Sequence, residues 1–343
     1  MMTSLDFEKP IVELEKKITE LKHLSADGSL NLDSEVKKLE SRLEMAKKET
    51  YLNLTPWQRV QIARHPRRPY ALDYIQSIFT DFIEIHGDRT FADDKALIGG
   101  LARFEGKPCI VMGHQKGRDA KENIMRNFGS AHPEGYRKAL RLMRIAEKFK
   151  MPIITFIDTP GAYPGIGAEE RGQAYTIAVN IREMARIAVP IVCCVIGEGG
   201  SGGALGIGVG DRVLVLENAY YSVISPEGCA AILWKDRTKA PEAAAALRLT
   251  AKDLLEMELI DEMIKEPLGG AHKNYQETND TVKQALARSL RELENKEPRA
   301  LVEARYQKFR RIGVFQQSQI ESAEKIYVKS EKKRSRKKLA GAH

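Results

Sequence analysis

Two glycine-rich segments are the parts of this sequence best suited to chemistry. Residues 158–172 read DTPGAYPGIGAEERG, residues 197–210 read GEGGSGGALGIGVG, and positions 158 to 210 hold 12 of the 26 glycines. Each segment follows an apolar stretch and leads into a helical one, so its free backbone N–H groups and the helix dipole would attract an anion. A single segment of this kind could simply be a tight turn. Two of them on successive strand–helix units predict an oxyanion site, where negative charge develops on a carbonyl oxygen.

A dinucleotide-binding interpretation of the second segment fails on length. Gly197, Gly199 and Gly202 satisfy the pattern GxGxxG, and Glu217 lies near the distance at which an acidic residue would contact a ribose. Only about eight residues remain before the next apolar stretch, however, which is too short for a full crossover helix. The phosphate-binding pattern GxxxxGK[ST] does not occur anywhere in the chain.

A serine hydrolase is a second alternative that the same segment raises. Ser201 lies between Gly199 and Gly203, which matches the pattern GxSxG of a nucleophile elbow. An acidic residue and a histidine must follow the serine in chain order, and His272 is the only such histidine before the C-terminal residue. The sequence therefore gives this interpretation little support.

Charged side chains near the glycine segments leave two interpretations open. Glu169 and Glu170 could act as a general acid or base, as in a hydratase acting on a thioester, or they could be first-turn acids stabilised by the helix dipole. A basic stretch could meet the phosphates of a ligand such as coenzyme A or could be a solvated loop; it comprises His114, Lys116, Arg118, Lys121 and Arg126. The seven histidines show no ligand-like spacing, so no metal site is predicted.

The elements that must position these residues alternate between strand and helix from about residue 95. Alternating units of this kind predict an α/β fold with a parallel sheet built by crossover connections. The loops at the carboxyl ends of the strands are then the expected site. The predicted strands are 96–104, 108–113, 152–157, 191–196, 213–216, 220–224 and 259–264, and the predicted helices are 134–149, 168–187, 251–257 and 276–312.

Residues 8–50 predict a helical hairpin that precedes this body. Apolar residues recur every three or four positions in each half, which is typical of a narrow packing seam. The hairpin could be an arm that binds a partner or an edge element that lies on its own body. The seam residues are Ile11, Leu14, Ile18, Leu21, Val36, Leu39 and Leu43.

Composition separates a nearly neutral body from a basic tail. The chain has 343 residues, is 43% hydrophobic and carries a formal charge of +8. Residues 325–343 alone carry +7, so any nucleic acid would be bound through this tail, which its composition predicts to be disordered. The length fits about two domains or one large domain with appendages.

Cysteine usage and hydropathy predict a cytoplasmic protein. The four cysteines form no CxxC pair, and two of them are adjacent within an apolar run, which is typical of buried thiols in a reducing compartment. Residues 1–10 contain no apolar core of a signal peptide. The longest apolar run, 187–196, is far shorter than the roughly 20 residues of a membrane span.

Several long motifs closely resemble one family, the carboxyltransferase α subunit of bacterial acetyl-CoA carboxylase, over about residues 5–320. The motifs are LARHPRRPY (62–70), GDRTFADDKALIGG (87–100), GHQKGR (113–118), PEGYRKALRLM (133–143), FIDTPGAYPGIGAEERGQ (156–173), VIGEGGSGGALGIGVGD (195–211) and YSVISPEGCAAILWKD (221–236). The resemblance does not extend to residues 325–343.

The resemblance implies a crotonase-like fold, a spiral of ββα units, with an N-terminal helical hairpin and C-terminal helices. The domains expected on this basis are the hairpin at 1–54, the carboxyltransferase domain at 55–270, C-terminal helices at 271–320 and the basic tail at 321–343. The family assembles as an α2β2 heterotetramer whose β subunit carries a zinc ribbon. It transfers a carboxyl group from carboxybiotin, held on a biotin carboxyl carrier protein, to acetyl-CoA, giving malonyl-CoA for fatty-acid synthesis. A separate biotin carboxylase consumes the ATP.

The family's site residues map onto the two glycine segments. The resemblance makes the backbone amides of Gly202 and Gly203 the donors to the ureido oxygen of biotin, with no metal on this chain. The expected substrate-binding residues are Gly161, Tyr163, Gly165, Gly199, Gly200 and Ser201. A stand-alone crotonase-type acyl-CoA hydratase or isomerase, dependent on Glu169 or Glu170, is the main alternative. A nucleic-acid-binding regulator is disfavoured because the body lacks excess basic charge.

Overall fold

A computed structural model describes residues 4–26 and 32–313 of the chain, and a single sheet of eight strands organises them. The strand order is β1-β2-β3-β4-β5-β6-β8, and the short strand β7 pairs with the end of β5. The strands are β1 (Thr80–Glu84), β2 (Leu97–Phe104), β3 (Lys107–His114), β4 (Ile153–Thr159), β5 (Ile191–Gly200), β6 (Arg212–Leu216), β7 (Tyr220–Ser222) and β8 (Glu262–Ile264).

Fourteen α-helices in the described ranges surround this sheet. Three short 3-10 turns, at Asp6–Glu8, Asn127–Gly129 and Arg237–Lys239, supplement them. The α-helices are α1 (Lys9–Ala26), α2 (Asp33–Leu52), α3 (Pro56–Ala63), α4 (Ala71–Ile78), α5 (Ala120–Met125), α6 (Pro133–Lys148), α7 (Ile166–Glu170), α8 (Gln173–Met184), α9 (Ser201–Leu205), α10 (Pro226–Trp234), α11 (Ala240–Leu247), α12 (Ala251–Glu256), α13 (Tyr275–Glu294) and α14 (Pro298–Arg311).

The centre of the sheet is parallel, as the sequence predicted. Strands β3, β4, β5, β6 and β8 run parallel, whereas β1, β2 and β3 form an antiparallel meander. Every residue of β4 and β5 is buried, because helices cover both faces of the sheet. The carboxyl ends of β3, β4 and β5 therefore meet at one edge, and the glycine segments lie there.

The two predicted elements that enter the glycine segments were wrong in their bounds. The predicted helix 168–187 is divided into α7 and α8, because Gly172 has a φ of +80° and interrupts the helix. The predicted strand 191–196 continues to Gly200, so the first four residues of the second segment belong to β5. The predicted helix at 276–312 is likewise two helices, separated just before Pro298.

The N-terminal hairpin has the predicted apolar seam. All seven seam residues pack in one cluster of α1 and α2, together with Tyr51. The Tyr51 hydroxyl donates a hydrogen bond to the buried carboxylate of Glu8 over 2.6 Å, and the Lys273 ammonium lies 3.0 Å from the same carboxylate. These contacts attach the hairpin to the chain that precedes α13.

A fully buried arginine attaches the last helix. Arg305 of α14 is 1% exposed, and its guanidinium lies 2.7 Å from the Asp211 carboxylate. The same guanidinium donates to the backbone carbonyls of Met184, Ile187 and Val189, between α8 and β5. All of its donors point at fixed acceptors, which is the arrangement that a buried charge requires.

Backbone contacts group Met1–Arg310 into one compact unit and separate Arg311–His343 from it. Hairpin, sheet and C-terminal helices thus share one unit, and the finer domain boundaries drawn from the sequence stay a prediction. The tail predicted at 321–343 lies outside the described residues. None of the helices in the described ranges combines the length and apolar character needed to span a bilayer.

Candidate active site at the carboxyl edge of the sheet

The two glycine segments lie against each other, backbone to backbone. A Cβ added to Gly200 would come within 2.3 Å of the Pro160 carbonyl oxygen. A Cβ added to Gly203 would come within 2.5 Å of the Ala162 amide nitrogen. Glycine is therefore required at both positions by the closeness of the other segment, and the structure brings together the two parts that the sequence analysis paired.

The second segment turns sharply from β5 into α9. Ser201 adopts a left-handed backbone with φ of +51°, and α9 begins at this residue. The amides of Gly202 and Gly203 lie in the first turn of α9, where an N–H group has no carbonyl of its own helix to bind. These two amides are the donors that the resemblance assigned.

Side chains beneath α9 hold its carbonyl groups. The Tyr136 hydroxyl donates to the Gly203 carbonyl oxygen over 3.3 Å, and the Asn180 side-chain amide donates to the Gly206 carbonyl oxygen over 3.0 Å. Tyr136 is fully buried and Asn180 is 1% exposed. The short helix is thus fixed from the protein interior, and its first-turn amides have a set direction.

The expected substrate-binding residues of the first segment line the same edge. The Thr159 hydroxyl bonds both the carbonyl and the amide of Gly161, which has a φ of +153°. The Tyr163 ring stacks on His132 with ring centroids 4.1 Å apart, and Gly165 caps α7 beside the Tyr163 ring. In β5, Gly199 lies against the Tyr221 ring, where any side chain would collide with it.

An ion cluster lies at the roots of both segments. The Lys116 ammonium is 2.6 Å from the Asp158 carboxylate and 2.9 Å from the Glu198 carboxylate. The other oxygen of Glu198 accepts hydrogen bonds from the Arg64 guanidinium over 2.8 Å and the Tyr220 hydroxyl over 2.6 Å. Asp158 and Glu198 are almost fully buried.

The charges in this cluster stabilise one another. Burial opposes ionisation of Glu198, but the positive charges of Lys116 and Arg64 outweigh it and lower the Glu198 pKa to about 2. Burial also opposes the charge on Lys116, but the two carboxylates outweigh it and raise the Lys116 pKa. Burial raises the Asp158 pKa, and the Lys116 charge acts against that rise.

A buried histidine lies beside this cluster. Burial, followed by the Lys116 charge, lowers the His114 pKa to about 3, so His114 is neutral at physiological pH. A second buried histidine, His272, stacks on His65 with ring centroids 3.9 Å apart. Burial, followed by the neighbouring His65, lowers the His272 pKa to about 3. The partner that a Ser201 nucleophile would need is therefore packed against another ring.

Other sequence candidates are not brought together. Glu169 and Glu170 are both exposed on α7. Most of the basic stretch 114–126 is bound internally: Lys116 lies in the ion cluster, Arg118 pairs with Asp73, and Arg126 pairs with Glu122. These internal contacts occupy most of the stretch, and its interpretation as a phosphate-binding site stays a prediction. No group of three potential metal ligands occurs in residues 4–26 and 32–313.

The sequence analysis missed the ion cluster. Asp158 and Glu198 were quoted within motifs, but neither was assigned a role. A signal for them was present, because an acidic residue stands first or second in each glycine segment, directly after a mostly apolar stretch. A carboxylate in that context must have a buried counter-charge, and Lys116 supplies it.

Comparison with known proteins agrees with the resemblance noted in the sequence. The family model for acetyl co-enzyme A carboxylase carboxyltransferase-like proteins matches residues 4–313. The acetyl-coenzyme A carboxylase carboxyl transferase subunit alpha of Geobacter metallireducens is 60% identical over 311 residues, which are 91% of this chain and 98% of that protein. The Thermus thermophilus protein of the same name is 58% identical with the same coverage.

Solved structures share the fold at low sequence identity. The transcarboxylase 12S structure with methylmalonyl-coenzyme A bound gives a TM-score of 0.55 at 19% identity, over 67% of this chain and 42% of that one. A Pseudomonas malonate decarboxylase hetero-tetramer with coenzyme A gives 0.56 at 15% identity, over 68% of this chain and 91% of that one. The predicted crotonase-like fold is confirmed, and the chain belongs to the acetyl co-enzyme A carboxylase carboxyltransferase-like family.

Proposed function

We propose that this chain is the α subunit of an acetyl-CoA carboxylase carboxyltransferase. With a β subunit it would transfer the carboxyl group of carboxybiotin to acetyl-CoA, giving malonyl-CoA. Family membership over residues 4–313 supports the reaction class. The observation that carries the assignment of the site is the pair of first-turn amides of α9, Gly202 and Gly203, of which Gly203 packs against the first glycine segment.

The role of the chain in this reaction is electrostatic. Carboxybiotin, brought by its carrier protein, supplies the carboxyl group, and negative charge collects on the ureido oxygen as carbon dioxide leaves. The amides of Gly202 and Gly203 would donate to that oxygen, and their fixed direction avoids the cost of reorienting donors during the reaction. The biotin nitrogen can accept the acetyl methyl proton, so the proposal assigns no side-chain base to this chain.

The partners are proposed on two grounds. The relatives are named as α subunits, which supports a β subunit partner. The end of α10 also presents three consecutive exposed apolar side chains, Ile232, Leu233 and Trp234, and Val223 is exposed nearby in sequence. Exposed apolar patches of this kind mark protein–protein contacts. The proposal is an α2β2 heterotetramer that works with a biotin carboxyl carrier protein and a biotin carboxylase.

Three further features are proposals: a metal on the partner, the location of the protein and any binding of nucleic acid. Zinc is expected on the β subunit. A cytoplasmic location is supported by four cysteines that are all buried and unpaired. Nucleic acid would be bound only through residues 321–343, which lie outside the described residues.

A stand-alone hydratase or isomerase is less well supported. That activity would need an acid or base beside the oxyanion donors. Glu169 and Glu170, the two carboxylates considered for it, are exposed on α7. The relatives at about 60% identity are carboxyl transferase subunits.

Co-expression with a carboxyltransferase β subunit tests the proposal. We expect a heterotetramer by sedimentation, and malonyl-CoA formed from acetyl-CoA and carboxybiotin only when both chains are present. Each chain alone is the control. Hydration of a 2-enoyl-CoA by this chain alone, with no malonyl-CoA from the complex, would contradict the proposal and favour the hydratase.

A further inference from the structure

We propose that Lys116, Asp158 and Glu198 act together as positioning residues, which hold the two glycine segments in register and so aim the Gly202 and Gly203 amides. This inference rests on the proposed function. It concerns residues that would touch neither biotin nor acetyl-CoA.

The three residues join three neighbouring strands. Asp158 is the penultimate residue of β4, Glu198 lies in β5, and Lys116 follows the end of β3 by two residues. Asp158 is the first residue of one glycine segment, and Glu198 is the second residue of the other. Because the ammonium of Lys116 contacts both carboxylates, a shift of either segment relative to the other would break an ion pair that is largely shielded from water.

The Asp158 carboxylate has almost no freedom to move. Its Oδ1 atom accepts the Lys116 ammonium and also the Glu198 backbone N–H, over 2.9 Å. A Cβ on Gly197 would come within 2.5 Å of the same oxygen. The Lys116 stem is confined too, since a Cβ on Gly129 would come within 3.0 Å of its Cγ atom.

Glu198 is positioned rather than available for proton transfer. Both of its carboxylate oxygens are engaged, one by Lys116 and the other by Arg64 and Tyr220. The segment continues from Glu198 through Gly199 and Gly200 into α9, with no flexible link between them. A displacement of the Glu198 carboxylate would therefore pass directly to the amides of α9.

Lys116, Asp158 and Glu198 together carry a net charge of −1, and the Lys116 ammonium offsets the repulsion between the two buried carboxylates. Replacing Lys116 by Met leaves two buried carboxylates without the cation between them, and such a pair retains a proton that it loses only at higher pH. Substituting Asp158→Asn in the same chain restores the net charge of −1. The Asn amide can donate to Glu198 while its oxygen still accepts the Glu198 N–H.

The ionisable groups around Lys116, Asp158 and Glu198 have pKa values that are shifted away from neutral pH or side chains that stay charged there. The ionisable groups that face the cluster from other elements include Arg64, Arg68, Tyr70, Tyr74, His114, Tyr220 and Glu227. The pKa of His114 is lowered to about 3 by burial, and the pKa of Glu227 is also lowered. Burial raises the pKa of all three tyrosines. A pH dependence that appears in Lys116→Met and disappears when Asp158→Asn is added would therefore belong to the carboxylate pair.

The experiment measures kcat and KM for malonyl-CoA formation by the α–β complex from about pH 6 to 8.5. In Lys116→Met we expect kcat to fall about 10-fold or more with rising pH, because a misplacement of 1 Å costs up to about 100-fold, while KM for acetyl-CoA changes little. The double variant Lys116→Met/Asp158→Asn should lose this pH dependence. Lys107→Met, which removes an exposed ion pair at the opposite end of β3, is the matched control and should behave as wild type.

Two outcomes would overturn the inference: a Lys116→Met complex with the wild-type pH profile, or a double variant with the same pH dependence as the single one. If Lys116→Met does not fold, Asp158→Asn and Glu198→Gln each leave Lys116 with one carboxylate. Wild-type kcat in both would then overturn the inference. An inactive wild-type complex would instead overturn the proposed function, and the inference with it.

Discussion

At the scale of single residues, Gly202 and Gly203 are neighbours with different surroundings. A Cβ on Gly203 would overlap the backbone of Gly161 and Ala162, whereas a Cβ on Gly202 would lie 3.7 Å from Ile177, an ordinary contact. The sequence analysis could not distinguish them, because both match one family motif. The structure shows that any substitution at Gly203 must displace the opposing segment.

The two alanine variants should therefore differ sharply. We expect Gly203→Ala to lower kcat by about 100-fold, the usual cost of losing one oxyanion donor, because the amide moves with the displaced backbone. Gly202→Ala keeps its amide in place and should stay within about threefold of wild type, which is small on the same scale. Malonyl-CoA formation by the reconstituted complex measures both. Equal losses in the two variants would contradict the steric argument.

The stacked pair His65 and His272 predicts a dependence of stability on pH. An unfolded histidine has a pKa of about 6.5, whereas the pKa of His272 in the folded chain is lowered to about 3. Between these values the unfolded chain binds the extra proton, so the free energy of unfolding falls as the pH falls below about 6.5.

Replacing this histidine by a ring that cannot titrate should reduce that effect. His272→Phe keeps a ring against His65 and should lose up to ~1.4 kcal/mol per pH unit of the slope. The slope should not vanish, because the pKa of the buried His114 is also lowered to about 3. Urea unfolding between pH 7 and 4.5 measures how the free energy of unfolding depends on pH. Equal slopes in the variant and the wild type would show that His272 does not cause this dependence.

At the scale of secondary-structure elements, the break between α7 and α8 is the clearest case where the helical periodicity of the sequence predicted one helix and the structure has two. Residues 168–187 have a continuous helical pattern, but Gly172 adopts a φ of +80°, which most side chains avoid. Space is not limiting there, since the nearest atom to an added Cβ is 3.6 Å away. Only the backbone conformation requires glycine.

That difference can be measured through stability. Gly172→Ala should lower the free energy of unfolding by about 1 kcal/mol, and Gly172→Asn by less, because Asn tolerates the left-handed region. Gly167→Ala, in α7 and free of a positive φ, is the control and should not destabilise, because alanine favours a helix. Urea unfolding of the full chain gives all three values. A Gly172→Ala variant as stable as the wild type would show that the backbone conformation at this position does not require glycine.

The sequence predicted elements better than it predicted their ends. The buried runs in β4 and β5 and the seam of the hairpin follow from apolar periodicity, and the structure has both. The extension of β5 to Gly200 could not be predicted, because glycine has little preference for strands. The ladder to β7 pairs these glycines, and that pairing depends on residues 220–222, distant in sequence.

In the candidate active site, the ion cluster likewise depends on residues that are distant in sequence. Asp158 and Glu198 lie in β4 and β5, whereas Lys116 and Arg64 follow the ends of β3 and α3, so no local pattern relates the four residues. A strand-terminal carboxylate indicates that a counter-charge exists, but only the fold identifies it. The backbone donors could be predicted from the spacing of the glycines, whereas the partners of the buried side chains could not.

At the scale of the whole molecule, the exposed apolar end of α10 should govern assembly. The double variant Ile232→Glu/Leu233→Glu should weaken α–β association by about 10-fold or more, because it places two charges in the proposed interface. The isolated chain should unfold at the wild-type urea concentration, since both side chains are largely exposed. Phe149→Glu, another exposed apolar position, is the control. Unchanged sedimentation of the complex would place the interface elsewhere.

The buried contact between Arg305 and Asp211 has a consequence for how the chain is made. The two residues are 94 positions apart, so a ribosome delivers the carboxylate long before the guanidinium that neutralises it. Until α14 emerges, the nascent body holds an acidic group and three carbonyls without their cation. A chain that ends before α14 would therefore keep a buried carboxylate without its counter-charge, and we expect such a chain to be less stable than the full one. The charge balance of the interior is therefore complete only after translation has passed Arg305.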